Sequence, residues 1–182
     1  LKRAFGNDEG NLYELTVADF TPENRNGFEL KTNTKKNDQS DLDRVVSALA
    51  LPDELFVDAL AQVFDLDELI TFWAMEVIVG HWDGMTGDKN NTFLYHNPDD
   101  DLFHAIPWGT DGAFNAEHPF IPNVPDSVYA YNTLSSRLYG IPEMREIYHN
   151  RLRSLLRDVW DEERIIAQFQ SIVAQTDGDL TN

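Results

Sequence analysis

Between Asp65 and Gly80 the chain carries a stretch that fits only a buried helix. From Leu66 to Val79, the apolar groups Leu69, Ile70, Phe72, Trp73, Met75, Val77 and Ile78 fall on every side of a 3.6-residue period. A helix apolar all round belongs in a core and not on a surface. Asp65 can cap its start, with Glu68 three residues on, and Gly80 can end it. The run is too short to cross a bilayer, and Asp67, Glu68 and Glu76 interrupt it. The rest of the chain therefore has to close around this helix. Its 42% hydrophobic and 12% aromatic content is that of a globular protein. Glu76, on a helix expected to be central, needs a partner. Arg137 or a backbone donor from the helical tail could serve.

The remaining pattern predicts an α+β, mostly helical fold. Leu12 to Leu15 and Phe28 to Lys31 alternate like short strands. Ser40 followed by Asp41 and Asp43 marks a helix start, with Val45, Val46 and Leu49 on one face. Pro52-Asp53-Glu54 opens another helix. Strands are expected over Asn91–Tyr95 and Leu102–Ile106, joined by the turn Asn97-Pro98-Asp99-Asp100-Asp101. Residues 112–131, with Pro119, Pro122 and Pro125, have the composition of an irregular loop. Helices follow near Thr133 to Tyr139, Pro142 to Trp160 and Asp161 to Gln175. The 182 residues suit one domain or one lobe of a larger one, and residues 1–182 are expected to form a single lobe.

Charge and cysteine content narrow the function. The formal net charge is −18, which repels phosphate backbones and anionic lipid, so nucleic acid is not an expected partner and no membrane span is seen. The absence of cysteine excludes disulfides, thiol nucleophiles and thiolate metal sites. The histidines at 81, 96, 104, 118 and 149 are scattered and have no metal-ligand spacing, and they are read as structural. His81 is set apart because it neighbours Asp83. Asp99-Asp100-Asp101 is read as an exposed acidic turn in preference to a Ca²⁺ site.

Chemistry points to one end of the expected hairpin. In an antiparallel pair, the start of the first strand lies beside the end of the second. Asn91 begins the first strand, Asp111 lies just past the second, and Asp83 sits in the loop leading in. Asp83, Asn91 and Asp111 should therefore meet. Two carboxylates and a carboxamide are hard oxygen donors that suit Mg²⁺, Mn²⁺ or Ca²⁺. One carboxylate can instead orient or deprotonate a hydroxyl nucleophile. Protein kinases use this plan: a catalytic Asp, then a metal-binding Asn, then a metal-binding Asp beyond a hairpin.

The wording of the segment is specific. His81-Trp82-Asp83-Gly84, then Asn91-Thr92-Phe93-Leu94-Tyr95, then Phe103-His104-Ala105-Ile106-Pro107-Trp108-Gly109-Thr110-Asp111-Gly112-Ala113-Phe114 occur in that order. This resembles the signature of the CotH (spore-coat protein H) kinase-like family. Leu1-Lys2-Arg3 with Phe5-Gly6 and Gly10-Asn11-Leu12-Tyr13 resembles the family's stretch after its interlobe hinge. Asn132-Thr133-Leu134 with Arg137-Leu138 resembles a helix of the same family, so the resemblance covers nearly the whole chain. It implies the C-terminal lobe of an atypical protein kinase fold with one β-hairpin at the active site. Asp83 matches the catalytic Asp and Asn91 the metal-binding Asn. The family carries a metal-binding Asp directly after Ile-Pro-Trp, and here that residue is Gly109. The second Asp of the family's D-x-D is kept as Asp111. If the segment is extended, Asp111 points the way residue 109 points and can reach the metal.

The resemblance implies an ATP-dependent Ser/Thr kinase using Mg²⁺ or Mn²⁺ with ATP, acting on a surface or secreted protein, and a bacterial, extracytoplasmic or cell-surface location. The alternative is a pseudokinase or noncatalytic surface-assembly module of the same fold, to which Gly109 points. A metal-dependent hydrolase lacks an evident base and nucleophile set. The chain opens on Leu1, and Gly6 with Gly10 do not make a Gly-rich phosphate loop. It reads as a fragment that begins after the N-terminal lobe, and by itself it is expected not to transfer phosphate.

Overall fold

The computed structural model describes residues 1–114 and 128–176. Most of the expected 112–131 loop therefore lies outside the described residues. The fold is α+β, with seven α-helices and a four-stranded antiparallel sheet among the described residues. The chain divides into two compact units, Leu1–Leu152 and a second beginning at Arg153.

The first unit is built on the sheet, in strand order β2-β1-β3-β4. Strand β1 is Asn11–Leu15, β2 is Phe28–Leu30, β3 is Thr92–Asn97 and β4 is Leu102–Pro107. The expected hairpin is present as β3–β4, with Thr92 opposite Pro107 and Asn97 opposite Leu102. It does not stand alone, because β1 pairs with the other edge of β3, Tyr13 opposite Leu94. The four strands form one sheet and not one hairpin plus separate pieces. Tyr13 explains part of this pairing. Its side chain is fully buried and its hydroxyl donates to Asp41 Oδ1 at 2.6 Å, tying the strand to a helix. The Asn97–Asp101 turn is closed by its own side chains: Asn97 Oδ1 accepts from Asp99 N and Asp100 Oδ1 from Leu102 N.

Helix α1 is Lys2–Phe5, α2 is Ser40–Leu49, α3 is Asp53–Leu60 and α4 is Leu66–Ile78. Ser40 is the first helical residue of α2 and not its cap. Its N–H is taken by Asp38 Oδ1 at 3.1 Å. The buried face of α2 is Leu42, Val45 and Ala48, while Val46 and Leu49 are half-buried. Asp65 caps α4 as expected, accepting from the N–H groups of Asp67 and Glu68. Along α4, Leu69, Ile70, Trp73, Ala74, Glu76 and Val77 are buried and Phe72 is half-buried. Helix α5 is Thr133–Gly140 and α6 is Pro142–Asp158. Two aromatic groups fill this unit. Phe103 stands between Phe64 (5.6 Å) and Tyr13 (6.4 Å), and Trp73 stacks on Tyr148 at 3.9 Å. The second unit holds the end of α6 and helix α7, Glu162–Thr176. No helix among the described residues is long and apolar enough to cross a membrane.

Candidate active site

The loop carrying Asp83 is launched by the way α4 ends. Gly80 takes φ +60°, His81 N donates to Glu76 O at 2.8 Å, and Gly80 N donates to Val77 O at 3.0 Å. That pair of bonds is a Schellman stop, which needs a left-handed residue that glycine supplies without strain. The chain then turns through residues 81–91 and enters β3. Asn91 belongs to the turn and not to the strand, with φ +40°, a region that Asn tolerates better than most residues. Its carbonyl accepts from Trp108 N at 3.3 Å, so Asn91 still faces the far end of β4.

Asp83 and Asn91 are joined directly. Asn91 Nδ2 donates to Asp83 Oδ2 at 2.6 Å, and Asn90 Nδ2 donates to Asp83 Oδ1 at 3.2 Å. Both Asp83 and Asn91 are half-buried. Gly109 lies against the same amide. A Cβ placed on it would sit 2.7 Å from Asn91 Cγ and 2.7 Å from Asn91 Oδ1. Gly109 has φ +53°, and Thr110–Gly112 form a 3₁₀ turn. The segment from 109 to 111 is therefore not extended, and the two-residue alternation expected to aim Asp111 like residue 109 does not apply. Asp111 is exposed and accepts no hydrogen bond among the described residues. It stays in the neighbourhood, because a Cβ on the next residue, Gly112, would lie 3.6 Å from Asp83 Cβ.

Behind the loop lie two titratable groups. Glu76 is buried, and its partners are Met85 N, Thr86 N and Thr86 Oγ1. Burial pushes its carboxyl up to about 7, against the pull of those three bonds. Arg137 is not its partner. It closes the end of α2 through the carbonyls of Leu49 and Leu51, pairs with Asp53 at 3.0 Å and lies 4.0 Å above the Phe56 ring. The backbone donors come from the loop and not from the helical tail. His81 is 2% exposed, with Nδ1 3.9 Å from Glu76 Oε1. Burial holds its pKa down, although the Gly109 backbone, Asp83 and Asp111 favour the cation. The loop rests on it at Gly84, where a Cβ would lie 2.9 Å from His81 Nδ1.

Two other histidines lie between carboxylates. His96 lies between Asp41 (3.4 Å) and Asp101 (3.1 Å), and His104 between Glu68 (2.8 Å) and Asp100 (3.0 Å). Two of the three acids in the Asp99–Asp101 turn are used there. Among the described residues no three His, Asp or Glu side chains gather as a metal-binding group.

The end of α4, a loop whose Asp83 is bonded to Asn91, and the open end of the hairpin thus come together. Over residues 1–182 the chain matches the family described as CotH kinase protein, and it belongs to that family. No curated protein matches the sequence.

Proposed function

We propose that this chain is the C-terminal lobe of an atypical Ser/Thr protein kinase. It would transfer a phosphoryl group from ATP to a hydroxyl of a surface or secreted protein. The observation that supports this best is the 2.6 Å bond from Asn91 to Asp83 at the mouth of the hairpin. It holds the carboxamide by its nitrogen and leaves Oδ1 as the donor atom. Asp83 is the group that orients the acceptor hydroxyl and takes its proton. Asn91 Oδ1 and the Asp111 carboxylate are hard oxygen donors and would hold Mg²⁺ or Mn²⁺. When bound with ATP, such an ion offsets charge on the transferring phosphoryl group. These donors are of the type such an ion takes, but they are one carboxylate poorer than the family pattern, because residue 109 is Gly.

Gly109 also supports a second reading, a pseudokinase or surface-assembly module of the same fold. The place of a residue 109 side chain is taken by the Asn91 amide, so the missing carboxylate is not simply an empty position. The test is the full-length protein with ATP, Mg²⁺ or Mn²⁺ and candidate exported proteins. Metal-dependent phosphorylation of Ser or Thr that is lost in Asp83→Ala is expected. No transfer with either metal, with ATP binding unchanged in Asp83→Ala, favours the noncatalytic reading.

A further inference from the structure

The loop that carries Asp83 is gripped from two helices at a point two residues further on. From α4, Glu76 Oε1 accepts from Met85 N at 2.8 Å, and Oε2 accepts from Thr86 N at 2.9 Å and Thr86 Oγ1 at 2.5 Å. From the start of α5, Asn132 Nδ2 donates to Met85 O at 2.9 Å, and Tyr131 N donates to Thr86 O at 3.0 Å. The other end of the Asn132 amide caps its own helix, accepting from Ser135 N and Ser135 Oγ at 2.7 Å. Both peptide units of Met85-Thr86 are thus held on the N–H side by Glu76 and on the carbonyl side by the entry to α5. The grip is dry: Glu76 is 4% exposed, Met85 and Thr86 1% each and Asn132 2%. It is also close. A Cβ on Gly84 would lie 2.7 Å from Glu76 Cδ and 2.9 Å from His81 Nδ1, so the loop rests on the carboxylate with no room for a side chain.

This arrangement is a poor way to stabilise a core. A buried carboxyl group costs more than an apolar residue of similar size, even with its hydrogen bonds met. What it supplies is a fixed set of acceptors that a Leu or Met would lack. The loop has further ties of its own, Gly84 N to His81 O at 3.2 Å and Asn90 N to Gly84 O at 3.2 Å, and these carry the constraint back to Asp83 and forward to Asn90.

We propose that Glu76 and Asn132 are positioning residues that hold the Asp83 loop from opposite sides and fix its carboxylate where it meets the acceptor hydroxyl. The role assigned to Asp83 rests on the function proposed above. The grip itself is read from geometry.

The test uses Glu76→Gln and Asn132→Ser in the full-length protein. Gln keeps the size but not the acceptors on both arms. Ser keeps a helix cap and cannot reach Met85. Two quantities are read: amide exchange of residues 83–91 against that of strands β1 and β3, and kcat and KM for ATP. Loop exchange should rise about tenfold with the strands unchanged, and kcat should fall on the order of a hundredfold with KM for ATP nearly constant, as for a misplaced catalytic group. Unchanged loop exchange overturns the proposal, as does faster exchange with unchanged kcat. If Glu76→Gln unfolds the protein, Thr86→Val removes only the hydroxyl bond. Wild-type loop exchange in that variant is equally fatal. Absence of transfer by the wild type sinks the proposed function alone, and loop exchange then decides the grip.

Discussion

The Asn91 amide occupies the space that a side chain on Gly109 would take, and both residues have positive φ at the hairpin's open end. The Asn91 amide is bonded to Asp83, and the absence of a side chain at Gly109 leaves room for it. The departure from the family pattern at residue 109 is therefore structurally coupled to the Asn and Asp that remain.

Restoring the missing carboxylate should not be benign. Gly109→Asp places a side chain in the left-handed region, at about 1 kcal/mol, and must also push the Asn91 amide aside. A loss of roughly 1–3 kcal/mol in urea unfolding is expected without metal. The loss should shrink by about 1 kcal/mol when measured on an Asn91→Ala background, the coupling a double-mutant cycle reads for touching residues. Additive effects would show that the two side chains do not compete. Metal titration of the same set shows whether the new carboxylate tightens Mn²⁺ despite the strain.

Arg137 should matter for the first unit's stability and not for chemistry. Its guanidinium meets two carbonyls at the end of α2, one carboxylate and one ring, a set that a lysine ammonium cannot cover at once. Arg137→Lys is expected to cost about 2 kcal/mol in denaturant unfolding. Asp53→Ala should cost well under half of that, since the Asp53 side chain is 73% exposed and the ion pair is screened. Equal losses would mean that the Asp53 pair carries the effect.

His96 makes stability depend on pH with a definite sign. Burial favours its neutral form, but the Asp41 hydrogen bond and the charges of Asp41 and Asp101 outweigh it and Arg44, and the pKa is raised. At Asp41 burial pushes up, yet bonds from His96, Tyr13 and Asn11 hold the carboxyl below its usual value. A raised folded pKa gives stability that is complete below the unfolded value near 6.5 and lost as pH climbs through the folded one. His96→Gln should therefore cost most near pH 6 and least near pH 9. A pH-independent cost would show that His96 acts by packing alone.

Helix α4 was legible because its signals are local: Asp65 at one end, Gly80 at the other, and no polar face between. The hairpin was legible because its turn residues are self-contained. The insertion of β1 beside β3 was not, since nothing in Asn11–Leu15 says which edge it will choose among several. The path after Trp108 was not legible, for a definite reason. An extended run keeps residues 109 and 111 on one side, and a left-handed Gly109 followed by a 3₁₀ turn ends that alternation. Glu76 signals its need for a partner from sequence, but its donors are backbone N–H groups, which carry no residue-type signal. Asn132 did stand in a recognisable motif, and the structure supplies its physical use, one amide serving a helix cap and a loop together.

Glu76 leads to the last prediction, in which a buried acid weakens the fold as the solution becomes neutral. Burial raises its carboxyl from 4.5 to about 7, so between those values the folded chain binds a proton that the unfolded chain has released. Stability contributed by that proton must fall as pH rises through the interval, and it is fully lost above about 7. The shift corresponds to roughly 3 kcal/mol. His81 faces the same carboxylate with a lowered pKa, which acts in the opposite direction at the acid end, and Tyr148 senses the Glu76 charge from the other side. The wild-type profile alone therefore mixes these groups. Glu76→Gln removes the acid together with its coupling to those neighbours, so the difference between the two unfolding profiles from pH 4.5 to 8 reads the acid and that coupling. The variant is expected to lose ground to the wild type at pH 5 and to recover relative to it by about 3 kcal/mol at pH 8. Parallel profiles would mean that Glu76 is ionised throughout, held so by its three donors and not penalised by its burial.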